Sequence, residues 1–156
     1  MKKVYIIGVA ILLLLCLAGC NISSTVEDNN AIFSEAVKAV SDDIVTLNEL
    51  VAFEWDIAYT FKPNTPKKTI EKTIGVSSRY IKETYNESQT QLIFIKDNRV
   101  VCSIWGYGNN LGYWIFFRGY DGDCLTIKPD DDVSFAVDRS GEEIVLTYIN
   151  DMSASC

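Results

Sequence analysis

The chain between Thr90 and Trp105 reads TQLIFIKDNRVVCSIW, and it constrains the architecture more than any other segment. Two runs of mostly β-branched and aromatic residues, 90–95 and 99–105, flank the dipeptide Asp97-Asn98. Asp and Asn tolerate the positive φ angles of a two-residue turn, and the flanking runs suit strands. The segment therefore predicts a β-hairpin, around which the other elements are arranged.

Upstream of this hairpin, the hydrophobic period changes from two to nearly four. Alternate residues from 53 to 61 are apolar and predict a strand with one buried face, ended by Pro63. Thr65-Pro66 then supplies a helix start, Ile70 and Ile74 form a helical stripe, and Gly75 is the expected stop. Residues 77–88 are ambiguous, with a strand at 80–84 as one interpretation.

The two ends of the chain complete the fold class. From Ala31, apolar residues recur every fourth position up to Ile44, and Ser41-Asp42-Asp43 can divide this stretch from a second helix at 44–51. Short strands are predicted at 113–118, 125–127, 133–138 and 143–149. The sequence thus predicts an α+β domain: an N-terminal helix or helix pair, plus a short helix, packed on an antiparallel sheet of about five strands.

The N-terminus carries an export pattern. Lys2 and Lys3 precede an apolar run from Val4 to Leu17, and Leu17-Ala18-Gly19-Cys20 resembles the lipobox of bacterial lipoproteins. The resemblance implies a signal peptide at 1–19, lipidation of Cys20, and anchoring on the extracytoplasmic side of the cell membrane. A retained N-terminal anchor is the alternative. We expect a polar tether at 20–30, a single domain at 31–150 and a tail at 151–156.

Charge and composition exclude several classes of function. Without Lys2 and Lys3 the chain has 12 basic against 21 acidic residues, a net charge of −9, which disfavours nucleic acid as a partner. The membrane partner is therefore expected to be held through the lipid on Cys20. The sequence contains no histidine, which excludes histidine-dependent nucleophiles and metal ligands. We expect a protein that is not an enzyme and has no cofactor.

Three cysteines remain outside the lipobox segment: Cys102, Cys124 and Cys156. Their spacing matches no metal site, and Cys102 is expected to be a small buried residue within a strand. In a simple meander, a third strand separates Cys102 from Cys124 and holds them too far apart to bridge. We favour no disulfide, or a facultative one that involves Cys156.

Two segments resemble bacterial lipoprotein families. From Phe53 to Val76 the chain is similar to a group of small, mostly uncharacterised lipoproteins, through Trp55-Asp56, Tyr59, Phe61, Pro63, Thr65, Ile70, Ile74 and Gly75. The helix, glycine and hairpin around residues 94–101 are similar, more loosely, to small lipoproteins that assist outer-membrane β-barrel assembly. The resemblance implies a small α+β lipoprotein without catalytic residues. This chain adds strands after the hairpin, which the assembly lipoproteins do not.

The segment from 105 to 114 is the candidate ligand site. It combines rigid aromatic faces with amides, which suit sugar rings or peptide segments. The alternative is a hairpin whose aromatic residues pair across strands and cover the core. The candidate residues are Trp105, Tyr107, Asn109, Asn110, Tyr113 and Trp114.

Carboxylates form two further candidates. Asp121 and Asp123, with Asp130 and Asp132, offer weak calcium ligands if both turns lie at one end of the sheet, although the EF-hand spacing is not met. Glu54 and Asp56 are expected on one strand face and could in principle act as acid and base on sugars. A solvated strand face is the simpler interpretation of that pair.

These observations favour a membrane-anchored, extracytoplasmic binding domain that is not an enzyme. Its expected ligands are an envelope protein, wall glycan or a secreted peptide. The alternatives are an envelope-assembly scaffold, a toxin-immunity lipoprotein and a carboxylate-based wall hydrolase.

Overall fold

The computed structural model describes residues 21–149, with the backbone alone for residues 21–25. Cys20, the export segment and the tail at 151–156 lie outside the described residues. The helices are α1 Asn21–Ala39, α2 Leu47–Leu50, α3 Lys67–Ile74 and α4 Gly108–Leu111. The strands are β1 Ile44–Thr46, β2 Ile57–Phe61, β3 Gln89–Lys96, β4 Arg99–Tyr107, β5 Tyr113–Phe116, β6 Cys124–Ile127, β7 Ser134–Asp138 and β8 Ile144–Tyr148. The α+β prediction is confirmed.

The strands form two sheets rather than the expected single sheet of about five strands. One sheet is antiparallel with the order β4-β3-β2-β6; the other has the order β1-β7-β8-β5, in which β5 and β8 are parallel. The difference arises after β4, where the chain does not fold back as a hairpin. Gly106 and Gly112, with φ of 152° and 83°, bracket α4 and redirect the chain into the second sheet.

The predicted hairpin is present as β3 and β4. Asp97 and Asn98 have φ of 48° and 56°, the left-handed conformation that a tight two-residue turn requires. The carboxylate of Asp56 accepts hydrogen bonds from Lys96 Nζ at 2.8 Å and from the backbone N–H of Asp97 at 2.9 Å. The residues before β2 therefore brace the turn of the hairpin.

The β4-β3-β2-β6 sheet is covered on both faces, which explains the continuous apolar run in β3. Its inner face packs against the second sheet and α1, with Phe94 in contact with the rings of Phe33, Phe53 and Trp55. Its outer face packs under α3, where Ile70 joins a smaller cluster. A strand buried on both faces is not expected to alternate in polarity.

Helix α1 begins ten residues before the position that the apolar pattern predicted. Val26 is buried, and two asparagines in the segment expected to be a tether bond to the outer edge of β4. Asn29 Nδ2 donates to the carbonyl oxygen of Val101 at 2.9 Å, and Asn30 Oδ1 accepts from the N–H of Ser103 at 2.7 Å. These amides replace the strand that β4 lacks at this edge, so polar residues here are structural rather than solvated.

Other boundaries also differ from the sequence expectations. Helix α1 ends at Ala39, and the expected second helix at 44–51 is the short strand β1 followed by α2. Strand β2 begins at Ile57 rather than 53, and residues 77–88 form no strand. Gly75 does end α3, with φ of 77° and its N–H donating to Glu71 O at 2.9 Å.

The cysteines occupy different environments. Cys102 is buried and free, and burial raises the pKa of its thiol. Cys124 is disulfide-bonded, which contradicts the first of the two alternatives, that no disulfide forms. Cys102 on β4 and Cys124 on β6 lie at opposite edges of one sheet, about 14 Å apart at ordinary strand spacing. The prediction that these two do not bridge each other is confirmed.

Candidate functional site

The crossover, residues Trp105 to Trp114, connects the two sheets, and most of its aromatic side chains have structural partners. Trp105 is half-buried: its Nε1 donates to the carbonyl oxygen of Glu83 at 2.9 Å, and Lys82 Nζ lies 4.5 Å from its ring centroid. These contacts fix the segment around residues 82–83 against β4. Trp105 therefore holds a neighbouring loop in place.

Tyr113 and Trp114 point to opposite sides of β5. Tyr113 is fully buried, its hydroxyl is hydrogen-bonded to Ser34 Oγ at 2.9 Å, and burial raises its pKa to about 12. Trp114 is half-buried and lies over Gly108, where a Cβ atom would approach the indole to 1.9 Å. Its ring also stacks on Phe116, with centroids 6.0 Å apart.

The remaining crossover residues do not share a surface with these rings. Tyr107 is half-buried, and its hydroxyl accepts a hydrogen bond from Asn86 Nδ2 at 3.2 Å. Asn109 and Asn110 are exposed on α4. The structure thus disperses the six predicted ligand residues among the core, a loop brace and an exposed turn.

The aspartates predicted as calcium ligands are likewise separated. Asp121 and Asp123 precede β6, whereas Asp130 and Asp132 follow it, so about 13 Å of strand lies between the two turns. Among the described residues, no group of three or more carboxylate, cysteine or histidine side chains is arranged to hold a metal ion. The condition that both turns lie at one end of the sheet is not met.

Glu54 and Asp56 are exposed and lie before β2 rather than on its face. Both oxygens of Asp56 are engaged in the hairpin brace. The hydrogen bond from Lys96, followed by that from the Asp97 N–H, lowers the pKa of Asp56. A general acid requires the opposite shift.

A groove of about 770 Å³ lies where the two sheets meet. The C-terminal end of β2 forms one side, the loop before β3 a second, and the end of β5 a third. The sheets are joined here by a buried hydrogen bond of 3.1 Å from the Ile115 N–H to Thr90 Oγ1. Grooves of this size at the junction of packed elements suit a small ligand.

Aromatic side chains dominate the apolar part of the groove. Tyr85 and Phe116 are 60% and 39% exposed, so their rings remain accessible from solvent. Tyr120 is half-buried; its hydroxyl lies 3.4 Å from Thr60 Oγ1, and burial raises its pKa. The aromatic residues that line the groove are Phe61, Tyr85, Phe116, Phe117 and Tyr120.

The loop that carries Tyr85 is held by side chains of the β3 region. Gln89 Oε1 accepts from the Tyr85 N–H at 2.7 Å. Gln91 is buried and bridges two elements, accepting from the Phe61 N–H at 2.9 Å and donating to Lys82 O at 2.6 Å. A hydrogen bond with the Glu83 side chain raises the pKa of Tyr85. The groove wall is therefore fixed before any ligand arrives.

Three polar side chains at the groove are free of the protein's own hydrogen bonds. Within residues 26–149, no protein group is hydrogen-bonded to or ion-paired with the side chains of Lys62, Asn64 or Glu87, all of which line the groove. They supply an ammonium, an amide and a carboxylate. Ligand sites commonly combine an apolar surface with a few such groups.

Sequence reasoning missed this groove, although one signal was present. Phe116 and Phe117 are adjacent in a segment expected to be a strand, and successive residues of a strand point to opposite faces. Both rings cannot enter one core. Phe117 packs edge-to-face on Phe135, with centroids 5.6 Å apart, and Phe116 is left outside.

Similarity to known proteins identifies no family. No family model matches the chain, and no curated protein or solved structure is significantly similar to it. The described residues include no helix that is long and apolar enough to cross a membrane. The groove and the lipobox-like N-terminus are therefore the two features that bear on function.

Proposed function

We propose that this protein is a lipoprotein anchored to the cell membrane through Cys20, and that its extracytoplasmic domain binds a ligand of the cell envelope without catalysis. The observation that carries this proposal is the groove at the junction of the two sheets. Tyr85 and Phe116 expose their rings there, next to polar side chains that have no hydrogen bond within residues 26–149. Accessible ring faces beside a few unengaged polar groups are the usual composition of a ligand site.

The alternatives find less support in the described residues. A scaffold that pairs through the edge of the predicted hairpin needs the outer edge of β4 free, and that edge is bonded to Asn29 and Asn30. A carboxylate hydrolase needs two carboxylates in a cleft, and Glu54 and Asp56 are exposed. No observation favours toxin immunity over the other binding roles.

The anchoring part of the proposal is tested by replacing the lipidated cysteine. Cys20→Ser is expected to remain uncleaved and unlipidated, so metabolic labelling with a fatty acid should no longer mark the protein. Cys102→Ser is the matched control and should label like the wild type, because Cys102 is buried inside the domain. Equal labelling of Cys20→Ser and wild type would contradict the proposal.

The binding part is tested by fluorotyrosine NMR of the lipidated protein in detergent micelles. Addition of a solubilised envelope fraction, including digested cell wall, should shift the signals of Tyr85 and Tyr120. Tyr59, which does not line the groove, is the internal control. Tyrosine-to-phenylalanine variants assign the signals. Shifts confined to tyrosines outside the groove, or no shift at all, would contradict a binding role for this site.

A further inference from the structure

The composition of the groove indicates a class of ligand, and this inference rests on the proposed function. We propose that the groove binds an uncharged saccharide, in the manner of a short segment of wall glycan. The rings of Tyr85 and Phe116 provide the stacking surface, and Asn64, Lys62 and Glu87 provide hydrogen bonds to hydroxyl and acetamido groups.

The apolar lining is aromatic rather than aliphatic. Pro63 and Ile115 are the aliphatic residues among those that line the groove, whereas five lining residues are aromatic. A sugar ring presents a flat C–H face, which matches the electron-rich face of an aromatic ring.

The charges at the groove favour a ligand with no net charge. Among the described residues, the groove is lined by one cationic side chain, Lys62, and one carboxylate, Glu87, so their charges offset each other for a ligand that approaches from a distance. A strongly anionic or cationic ligand would gain from one and be repelled by the other. A hydroxyl-rich ligand can use both, since Lys62 donates hydrogen bonds and Glu87 accepts them.

The backbone at the groove offers little to an extended peptide. A peptide that adds to a sheet needs free N–H and C=O groups along a strand edge. On β5, which borders the groove, the N–H of Ile115 already donates to Thr90 Oγ1 at 3.1 Å. The Tyr85 N–H on the opposite wall donates to Gln89 Oε1. Two backbone N–H groups that border the groove are thus already used, which favours recognition through side chains.

The proposal is tested by calorimetric titration of the full-length lipidated protein, in detergent micelles, with short β-1,4-linked oligomers of N-acetylglucosamine. We expect saturable binding. Tyr85→Ala and Phe116→Ala should each weaken it by about tenfold, because each removes a stacking face. Ile44→Ala removes an exposed apolar side chain that does not line the groove and is the matched control.

The outcomes separate this inference from the proposed function. Absence of binding to the oligomers, or binding that both alanine variants retain in full, overturns the saccharide proposal. If the envelope fraction still shifts the Tyr85 fluorine signal in that case, the groove binds another ligand, such as a peptide, and the binding function stands. If neither the oligomers nor the envelope fraction acts on the groove, both proposals fail. Circular dichroism of each variant verifies that the fold is retained.

Discussion

The crossover and the groove are both rich in aromatic side chains, yet their rings are used differently. In the crossover, Tyr113 is buried with its hydroxyl bonded to Ser34, and the Trp105 indole donates to Glu83 O. In the groove, Tyr85 and Phe116 are 60% and 39% exposed. An aromatic cluster in a sequence therefore indicates a binding surface only where the fold leaves its ring faces uncovered.

The largest expected effect on stability is at the centre of the crossover. Tyr113→Ala should lower the free energy of unfolding by about 3–5 kcal/mol, because it leaves a cavity in the core. Tyr113→Phe retains the ring and loses only the bond to Ser34, at a cost of about 1 kcal/mol. Urea denaturation monitored by circular dichroism measures both. Similar small losses in the two variants would show that the crossover is not part of the core.

The same residue predicts an alkaline instability. Burial raises the pKa of Tyr113 to about 12 from its usual 10.0, so the folded state holds the phenolic proton more tightly than the unfolded chain. The resulting stability is fully present below pH 10.0 and is lost as the pH rises towards about 12. We expect a loss of about 2–3 kcal/mol, which Tyr113→Phe should remove. Parallel alkaline unfolding curves for the two proteins would contradict this assignment.

A smaller effect is expected where the crossover turns. Gly108→Ala would place a Cβ atom 1.9 Å from the Trp114 indole, so the ring or the turn must move, at about 1–3 kcal/mol. Gly141→Ala is the matched control, since its Cβ would meet nothing closer than 3.9 Å, and we expect a change within about 0.5 kcal/mol. Thermal unfolding compares the two. If Gly108→Ala is as stable as the control, Trp114 is not packed on α4.

The smallest effect on stability is expected in the groove. Tyr85→Ala should change the free energy of unfolding by less than about 0.5 kcal/mol, because its ring is mostly exposed. Phe116→Ala should cost about 1 kcal/mol, because it also removes the stack on Trp114. Urea denaturation of these variants and of Tyr113→Ala compares the free energies of unfolding for the two aromatic regions. A loss of unfolding free energy comparable to that of Tyr113→Ala would mean that the groove rings are structural. The two aromatic regions would then not differ in role.

Local signals in the sequence predicted much of the fold. The positive φ angles at Asp97 and Asn98 and the helix stop at Gly75 follow from residue chemistry within a few positions. The partition of the strands into two sheets does not follow from local residue chemistry, because it depends on the direction that the chain takes at Gly106 and Gly112. The parallel pairing of β5 with β8 joins residues about thirty positions apart, which no local pattern encodes.

The role of the segment before Ala31 illustrates a second limit. Polar residues without periodicity resemble a linker, so the pattern predicts a tether at residues 20–30. Asn29 and Asn30 instead bond to Val101 and Ser103, more than seventy positions away. In the sequence, an asparagine that takes the place of a missing strand looks the same as a solvated asparagine. Only the tertiary contact distinguishes them.

The groove lies outside the predicted ligand segment. The sequence predicts aromatic rings beside amides at 105–114, whereas the rings of the groove come from β2, the loop around Tyr85, and the end of β5. These segments are separated in sequence by up to about sixty residues and meet only because the two sheets join at Thr90 and Ile115. A site built at a sheet junction is not visible in any single segment.

The measurement that tests the central claim most directly compares two photo-crosslinking residues in the lipidated protein inside its own cells. One is placed at Phe116 in the groove and the other at Asn109 on the exposed turn of the crossover. The account predicts an envelope adduct from position 116, in the form of wall glycan or a discrete partner, and none from position 109. Adducts from position 109 with none from position 116 would place the binding site on the crossover and contradict the account.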